Sequence, residues 1–562
     1  MSSVEPKQVQ PASTSHSARL AASSTDAPER FEQYRAPQQD GTALVAPSID
    51  RLAALIQESS FSTQSAQVEF CDLSLPDARE EARKEAVHLA KNYCSAYTRA
   101  FESVRPDADQ PIILAGHQPE LFHPGVWFKN FLLSSLSRAT NAISINFAVD
   151  NDLCRSTSLR IPVRGEGKSV SQVAIPFDSA RTPIPWEMRS RSSAEIWNAF
   201  PDEVAKSLPS ARESILPELW AKATTAIEQN GNIGSAFSQA RHLIEVGSGV
   251  QNLEVPLSHL VGTRTFARFS IQLLSELQRF QSVYNAKCEE YRNAHKIRNR
   301  AHPVPNLEES EGWLEAPLWV YRKAAPERRR LWVRKTAAGI VLSDRAGWQD
   351  VIEGKVDCQG ASAQWLDIQS DGVYLRPRAL LTTMYLRLMV ADLFVHGIGG
   401  GKYDQLTDRI IEGFFGIEPP PLAVATATLQ LPLENSDSHT GLGQLEAELQ
   451  KAKAEKWRFR HNPKSTDQNS AQFAELLEKR NGLLTAMPPK GERWRWHHEM
   501  QKVNESIRKI QSVQVQALDE QIKSLNLRIR DSKILSSREY SFCLFEKQHI
   551  TNSLRKLAEA NL

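Results

Sequence analysis

Four short stretches hold the residue types from which a reaction centre is built. The first is Gly116-His117-Gln118-Pro119, with His123-Pro124-Gly125 close behind it. Two imidazoles on either side of Leu121-Phe122 can hydrogen-bond a phosphate or exchange protons near neutral pH. The second is Asp150-Asn151-Asp152, whose carboxylates can hold a cation beside a phosphate, orient an amine or grip a ribose. The third, His396-Gly397-Ile398-Gly399-Gly400-Gly401-Lys402, joins consecutive glycines to a lysine, so backbone N–H groups and an ammonium can approach one anion. It lacks the spacing of a Walker motif. The fourth, Arg376-Pro377-Arg378, offers guanidinium groups to a phosphate or carboxylate. Each stretch has a structural reading beside the chemical one. His and Asp cap turns and helices, glycines make tight turns, and paired arginines face solvent. His117, His123 and His396 with Asp150 and Asp152 would make a transition-metal site if the fold gathered them, but sequence spacing alone does not bring them together, so no metal ligand is assigned.

The flanking patterns say what must position these residues. Ile112–Ala115 is a short apolar run and Val126–Arg138 is amphipathic, which together read as buried strand, polar loop and helix. In parallel α/β sheets ligands sit beyond the carboxyl ends of the strands, where this loop carries His117 and Gln118. A second strand at Ala142–Val149 ends in the Asp150–Asp152 turn. Further on, Arg376–Val390 is predicted as a helix, Ala391–His396 as a buried strand, the glycines as a loop, and Tyr403–Phe415 as a helix. Two strand–loop–helix units are thus expected in one sheet. Between them, Ser193–Ser248 reads as helical with breaks at proline, and Phe266–His295 as one long helix. Beyond Leu442, apolar residues at three-four spacing (Met500, Val503, Ile507, Ile510, then Leu518, Ile522, Leu525, Ile529) predict paired or coiled helices.

The expected organisation is a disordered tail over 1–40, the first half of an α/β core over 41–175, and a mainly helical insertion with short strands over 176–345. The second half of the core follows over 346–435, and a helical coiled coil over 436–562. With 68 basic and 66 acidic residues, the chain has no overall pull toward nucleic acid. Six cysteines without paired spacing predict neither a disulfide framework nor a zinc ribbon. No stretch reaches the roughly 18 apolar residues of a membrane span, so no membrane partner is expected and a cytoplasmic location is. Arg328-Arg329-Arg330 reads as the solvated face of a hairpin.

Two blocks resemble the bacillithiol-biosynthesis cysteine ligase family: GHQPELFHPGVWFKN through INFAVDND, and Arg376-Pro377 through the glycines to Phe415-Gly416 and Ala425–Thr428. The order of insertion and terminal helices agrees as well. Gln118, Asp150 and Asp152 match family positions, while His117 replaces a Gln, Val149 a Glu and Asn151 a His. Lys402 stands where the family has an acidic residue. The resemblance implies a Rossmann-like core and a ligase that joins a cysteine-like amine to a small acceptor. It also implies ATP or another nucleotide as cofactor and a homodimer formed through the C-terminal helices. On that expectation His117, Gln118, Asp150 and Asp152 are catalytic. His123, Arg376, His396, Gly399, Gly400, Gly401 and Lys402 bind substrate or phosphate. The alternatives are a non-catalytic dimeric scaffold and a metal-dependent hydrolase.

Overall fold

The computed structural model describes residues 31–58, 67–102, 110–165, 170–299, 304–433, 441–461 and 471–560. Residues 1–30 of the expected tail lie outside them.

The chain enters through strand β1 (Thr42–Ala46) and helices α1 (Ile49–Glu58) and α2 (Leu75–Ser95). Strand β2 (Ile112–His117), helix α3 (Pro124–Thr140) and strand β3 (Ile143–Ala148) fall where the apolar runs place them. Strand β4 (Leu253–Pro256) departs from expectation in joining the core sheet, because its four buried residues lie inside the stretch read as a mainly helical insertion with short strands. A run so short carries no period of its own. Helix α4 (Ala379–Met389), strand β5 (Leu393–His396), helix α5 (Ile398–Phe415) and strand β6 (Leu422–Thr428) complete the unit.

The six strands form one sheet in the order β1-β6-β5-β2-β3-β4. All neighbours are parallel except β1, which runs antiparallel along the edge of β6. Both faces are covered, so the strands are mainly apolar, with Ser144, Asn146, Glu254 and Thr426 among the buried polar exceptions. Ile113, Ala115, Leu393 and Val395 join the core on one face, where Trp127, Phe128 and Phe131 of α3 lie. Ile112, Leu114 and Phe394 join the core on the other, with Leu406, Ile410 and Phe414 of α5.

A second, antiparallel sheet holds the strands Glu309–Ser310, Trp313–Arg322, Ala325–Thr336, Gly339–Ser343 and Gln349–Glu353, with Val373–Pro377 beside Trp313–Arg322. Its strands lie on both sides of the boundary expected at 345. Arg376 accordingly sits in a strand rather than at a helix start, and α4 begins after Arg378. The helix expected over Phe266–His295 breaks at Glu276 into Arg264–Ser275 and Leu277–Ala294. Near β3, the helices Ala194–Ser207, Leu216–Asn230 and Ile233–Gly247 close around the rings of Trp197, Trp220 and Phe237.

Two helix pairs make up the C-terminal region. Leu442–His461 lies against Ser512–Leu535 through Leu445, Leu449, Leu518 and Leu525, and Ala471–Thr485 against Trp494–Ile510 through Phe473, Leu477, Val503 and Ile507. The chain then returns to the core, where the Phe542 N–H donates to the Phe122 carbonyl at 2.9 Å. Cys71 and Cys358, 287 positions apart, are joined as a disulfide that their spacing gave no reason to expect. Among the described residues no helix is long and apolar enough to cross a membrane.

Candidate functional site

Strands β2 and β5 are neighbours, with Val395 paired to Ala115, so their carboxyl ends open at the same edge of the sheet. From β2 the chain passes through α3 to β3 on one side, and from β5 through α5 to β6 on the other. Connections that diverge in this way leave a crevice between them. Here it is a cleft of about 1310 Å³, bordered by both predicted loops. The antiparallel sheet supplies a second wall through Trp319 and Arg328, and Arg378, between its strand Val373–Pro377 and α4, joins them.

Three helices begin at the cleft. His123 caps α3, its Nδ1 accepting from the Gly125 N–H at 3.1 Å. Neither α4 nor α5 has a side-chain cap, so their first N–H groups remain available to a ligand. The glycines expected to form a loop lie within the first turns of α5 instead. Close packing explains two of them. A Cβ on Gly401 would fall 2.2 Å from Val424 Cγ2 on β6, and one on Gly400 would fall 2.7 Å from His396 Nδ1. Gly399 has open space where a Cβ would be.

His117 ends β2. Its Nδ1–H donates to the Gln118 carbonyl at 3.2 Å, which leaves Nε2 as a bare acceptor without a partner among the described residues. Burial, reinforced by the Lys129 ammonium, lowers its pKa to about 3, so the ring stays neutral. Gln118 donates from Nε2 to Asp152 Oδ2 at 2.8 Å, and Arg328 holds the other carboxylate oxygen of Asp152 at 3.0 Å. His396, 6% exposed, ends β5 and donates through Nε2–H to Asp404 Oδ2 at 2.7 Å. Burial lowers its pKa as well, and its Nδ1 remains an acceptor. Asp404 also takes Arg387 at 2.8 Å and the Thr383 hydroxyl at 2.5 Å, which locks α5 against α4. Lys402 is exposed at the rim.

Three expected site residues lie elsewhere. Gly401 packs against Val424 of β6 and does not border the cleft. Asp150 does not border the cleft; it accepts from the Ser258 N–H at 2.9 Å and from the Ser258 hydroxyl, capping the short helix after β4. Burial raises its pKa to about 7. Arg376 is committed to Glu187, at 3.0 Å through Nε and 2.9 Å through Nη2, and to Gln369 at 2.6 Å. A buried ion pair behind the strand leaves it no reach into the cleft. Arg378 borders the cleft in its stead, with its guanidinium 4.2 Å from the Trp319 ring centroid. Arg328 is likewise a wall of the site rather than a solvated hairpin residue, 4.9 Å from the same ring.

The termini contribute walls as well. Tyr34 and Arg35, expected in a disordered tail, border the cleft, and Gln405 pins that segment by bonding the Glu32 N–H and carbonyl at 2.6 and 3.1 Å. Arg538 and Glu539 close another side. In all, seven Lys and Arg against three carboxylates border the cleft. A protein of net charge +2 thus gathers positive charge at one hollow. Lys129, at its floor, went unmarked by sequence reasoning, although it stands in the GVWFKN motif. Among the described residues no group of three or more His, Cys, Asp or Glu is gathered to hold a metal ion. The chain matches no family model and no curated protein.

Proposed function

We propose that this protein is a ligase-like enzyme that joins an amine-bearing small molecule to a small anionic acceptor, with ATP or another nucleotide as the activating partner. The observation that carries the reading is the convergence of His117, at the end of β2, and Lys402, near the start of α5 after the neighbouring strand β5, upon one cationic cleft with two uncapped helix starts. Neutral imidazoles with free lone pairs, at His117 Nε2 and His396 Nδ1, suit an amine N–H. The α5 start with Lys402 suits a phosphate or carboxylate that gathers charge during reaction. A volume of about 1310 Å³ accommodates two small ligands together. The strand order fits a Rossmann-like core, and the resemblance to cysteine ligases of bacillithiol biosynthesis points the same way. On the same reading the C-terminal helices form a coiled coil that pairs two copies, consistent with exposed Trp457, Val513 and Leu527.

The test is phosphate or pyrophosphate release from ATP in the presence of cysteine and an amino-sugar acid. Wild type is expected to show amine-dependent release. His117→Ala and Lys402→Ala should each lose at least ~10²-fold in rate with nearly unchanged melting temperature. Variants as active as wild type would remove both residues from the mechanism.

A further inference from the structure

One cleft residue has no role in the reading above. Lys129 lies on α3, 2% exposed, yet borders the cleft. Its Nζ donates to the Gly116 carbonyl at 2.7 Å, and among the described residues no carboxylate pairs with it. It also borders a water-sized cavity beneath His117, about 10 Å³, which it shares with the unpartnered hydroxyl of Ser238. A buried ammonium held only by a neutral carbonyl lacks a counter-ion.

The groups around it supply none. His117 from the end of β2, His123 from the start of α3 and His396 from the end of β5 all sense its charge, and all three are held neutral by burial. From the helix Ile233–Gly247, Arg241 faces it as a further cation, with its own charge answered by Glu245 and Glu254. Arg538 acts on His123 from the C-terminal segment. An anion entering the cleft is therefore the missing partner.

We propose that the Lys129 amine is the contact for the ligand's phosphoryl or carboxylate oxygen at the floor of this cleft, and that in mildly alkaline solution the protein takes up a proton there when the anion binds. The proposal rests on the anionic-ligand reading of the cleft. Burial, followed by Arg241, lowers the Lys129 pKa to about 7, so the free amine is mostly neutral in mildly alkaline solution. An adjacent anion favours the ammonium and raises that value. The sign follows: affinity is greatest below the free pKa and weakens as pH rises through and beyond it.

Inorganic sulfate is the probe, because its own charge is fixed across this range, and equilibrium dialysis of the full chain reads its Kd. For wild type, Kd is expected to rise by roughly tenfold for each pH unit between about pH 7.5 and 9. Lys129→Arg, permanently charged, should bind with a Kd nearly independent of pH. Lys129→Met, with folding verified by circular dichroism, should bind at least ~10-fold more weakly than wild type at about pH 7. A flat wild-type profile, or Lys129→Met binding as tightly as wild type, would overturn the role of Lys129 while leaving the cationic cleft in place. Absence of sulfate binding by both wild type and Lys129→Arg at every pH would overturn the anionic cleft and the proposal together.

Discussion

Asp404→Ala is expected to cost about 3–5 kcal/mol of stability and to weaken anion binding in the cleft at least tenfold. Asp404 is 1% exposed and holds three donors at once: His396, Arg387 and Thr383. Its loss takes from the Arg387 guanidinium, which is equally buried, one of its two carboxylate partners and leaves it with Asp408 at 2.6 Å. It also frees the start of α5, whose N–H groups need a fixed direction to meet an anion. Burial alone would raise the Asp404 pKa, but Arg387 and the His396 N–H outweigh it and hold the carboxyl well below its usual range. A depressed carboxylate pKa adds stability that is fully present above the unfolded value, about pH 4, and is lost as pH falls below it. The stability gap between wild type and Asp404→Asn should therefore be full at neutral pH and shrink on acidification below about 4. Urea unfolding at several pH values reads this, and a gap that widens in acid would contradict it.

Asp392→Ala is expected to cost a similar amount, about 3–5 kcal/mol, and to leave the cleft's affinity unchanged in the folded protein. Asp392 is buried just before β5, at the opposite end of the strand from His396. It accepts from Arg79 at 2.6 Å, Arg83 at 2.7 Å and the Ile112 N–H at 2.7 Å, which ties α2 to the starts of β2 and β5. Removing it leaves two guanidinium groups without their carboxylate, far from the ligand edge. The pair of variants separates fold from function, since equal loss of stability should accompany unequal loss of binding. If Asp392→Ala weakened sulfate binding as much as Asp404→Ala, the α5 start would have no special part in the cleft.

The elements legible in the sequence were those with a strong pattern and local punctuation. Ile112–Ala115 ends at Gly116-His117, and Leu393–His396 ends at glycine, so both strand ends and the shared edge could be read. The helices Trp494–Ile510 and Ser512–Leu535 followed from three-four spacing in the same way, but their partners, Ala471–Thr485 and Leu442–His461, did not. What escaped was decided by partners distant in the chain. Arg376 looked free until the strand Val373–Pro377 set it beside Glu187, and Asp150 until β4 brought Ser258 to it. Conversely, Lys129 sat in a motif quoted for its neighbours, and its importance comes from burial without a carboxylate. Arg328 reads as solvated in a run of three arginines, whereas pairing of its strand turns it onto Asp152 and Trp319. The glycines illustrate a third case: their spacing signalled close approach, but the close partners are Val424 and His396, and the backbone there is helical.

The central claim is that the loop after β2 and the start of α5 form one ligand-binding cleft. Hydrogen exchange of the full chain with and without saturating ATP tests it most directly, because the uncapped amides of α5 exchange quickly when nothing covers them. Exchange should slow in segments 117–126 and 397–404 together, with the helices over 471–510 unchanged. Slowing confined to those helices, or to one loop without the other, would contradict a shared cleft.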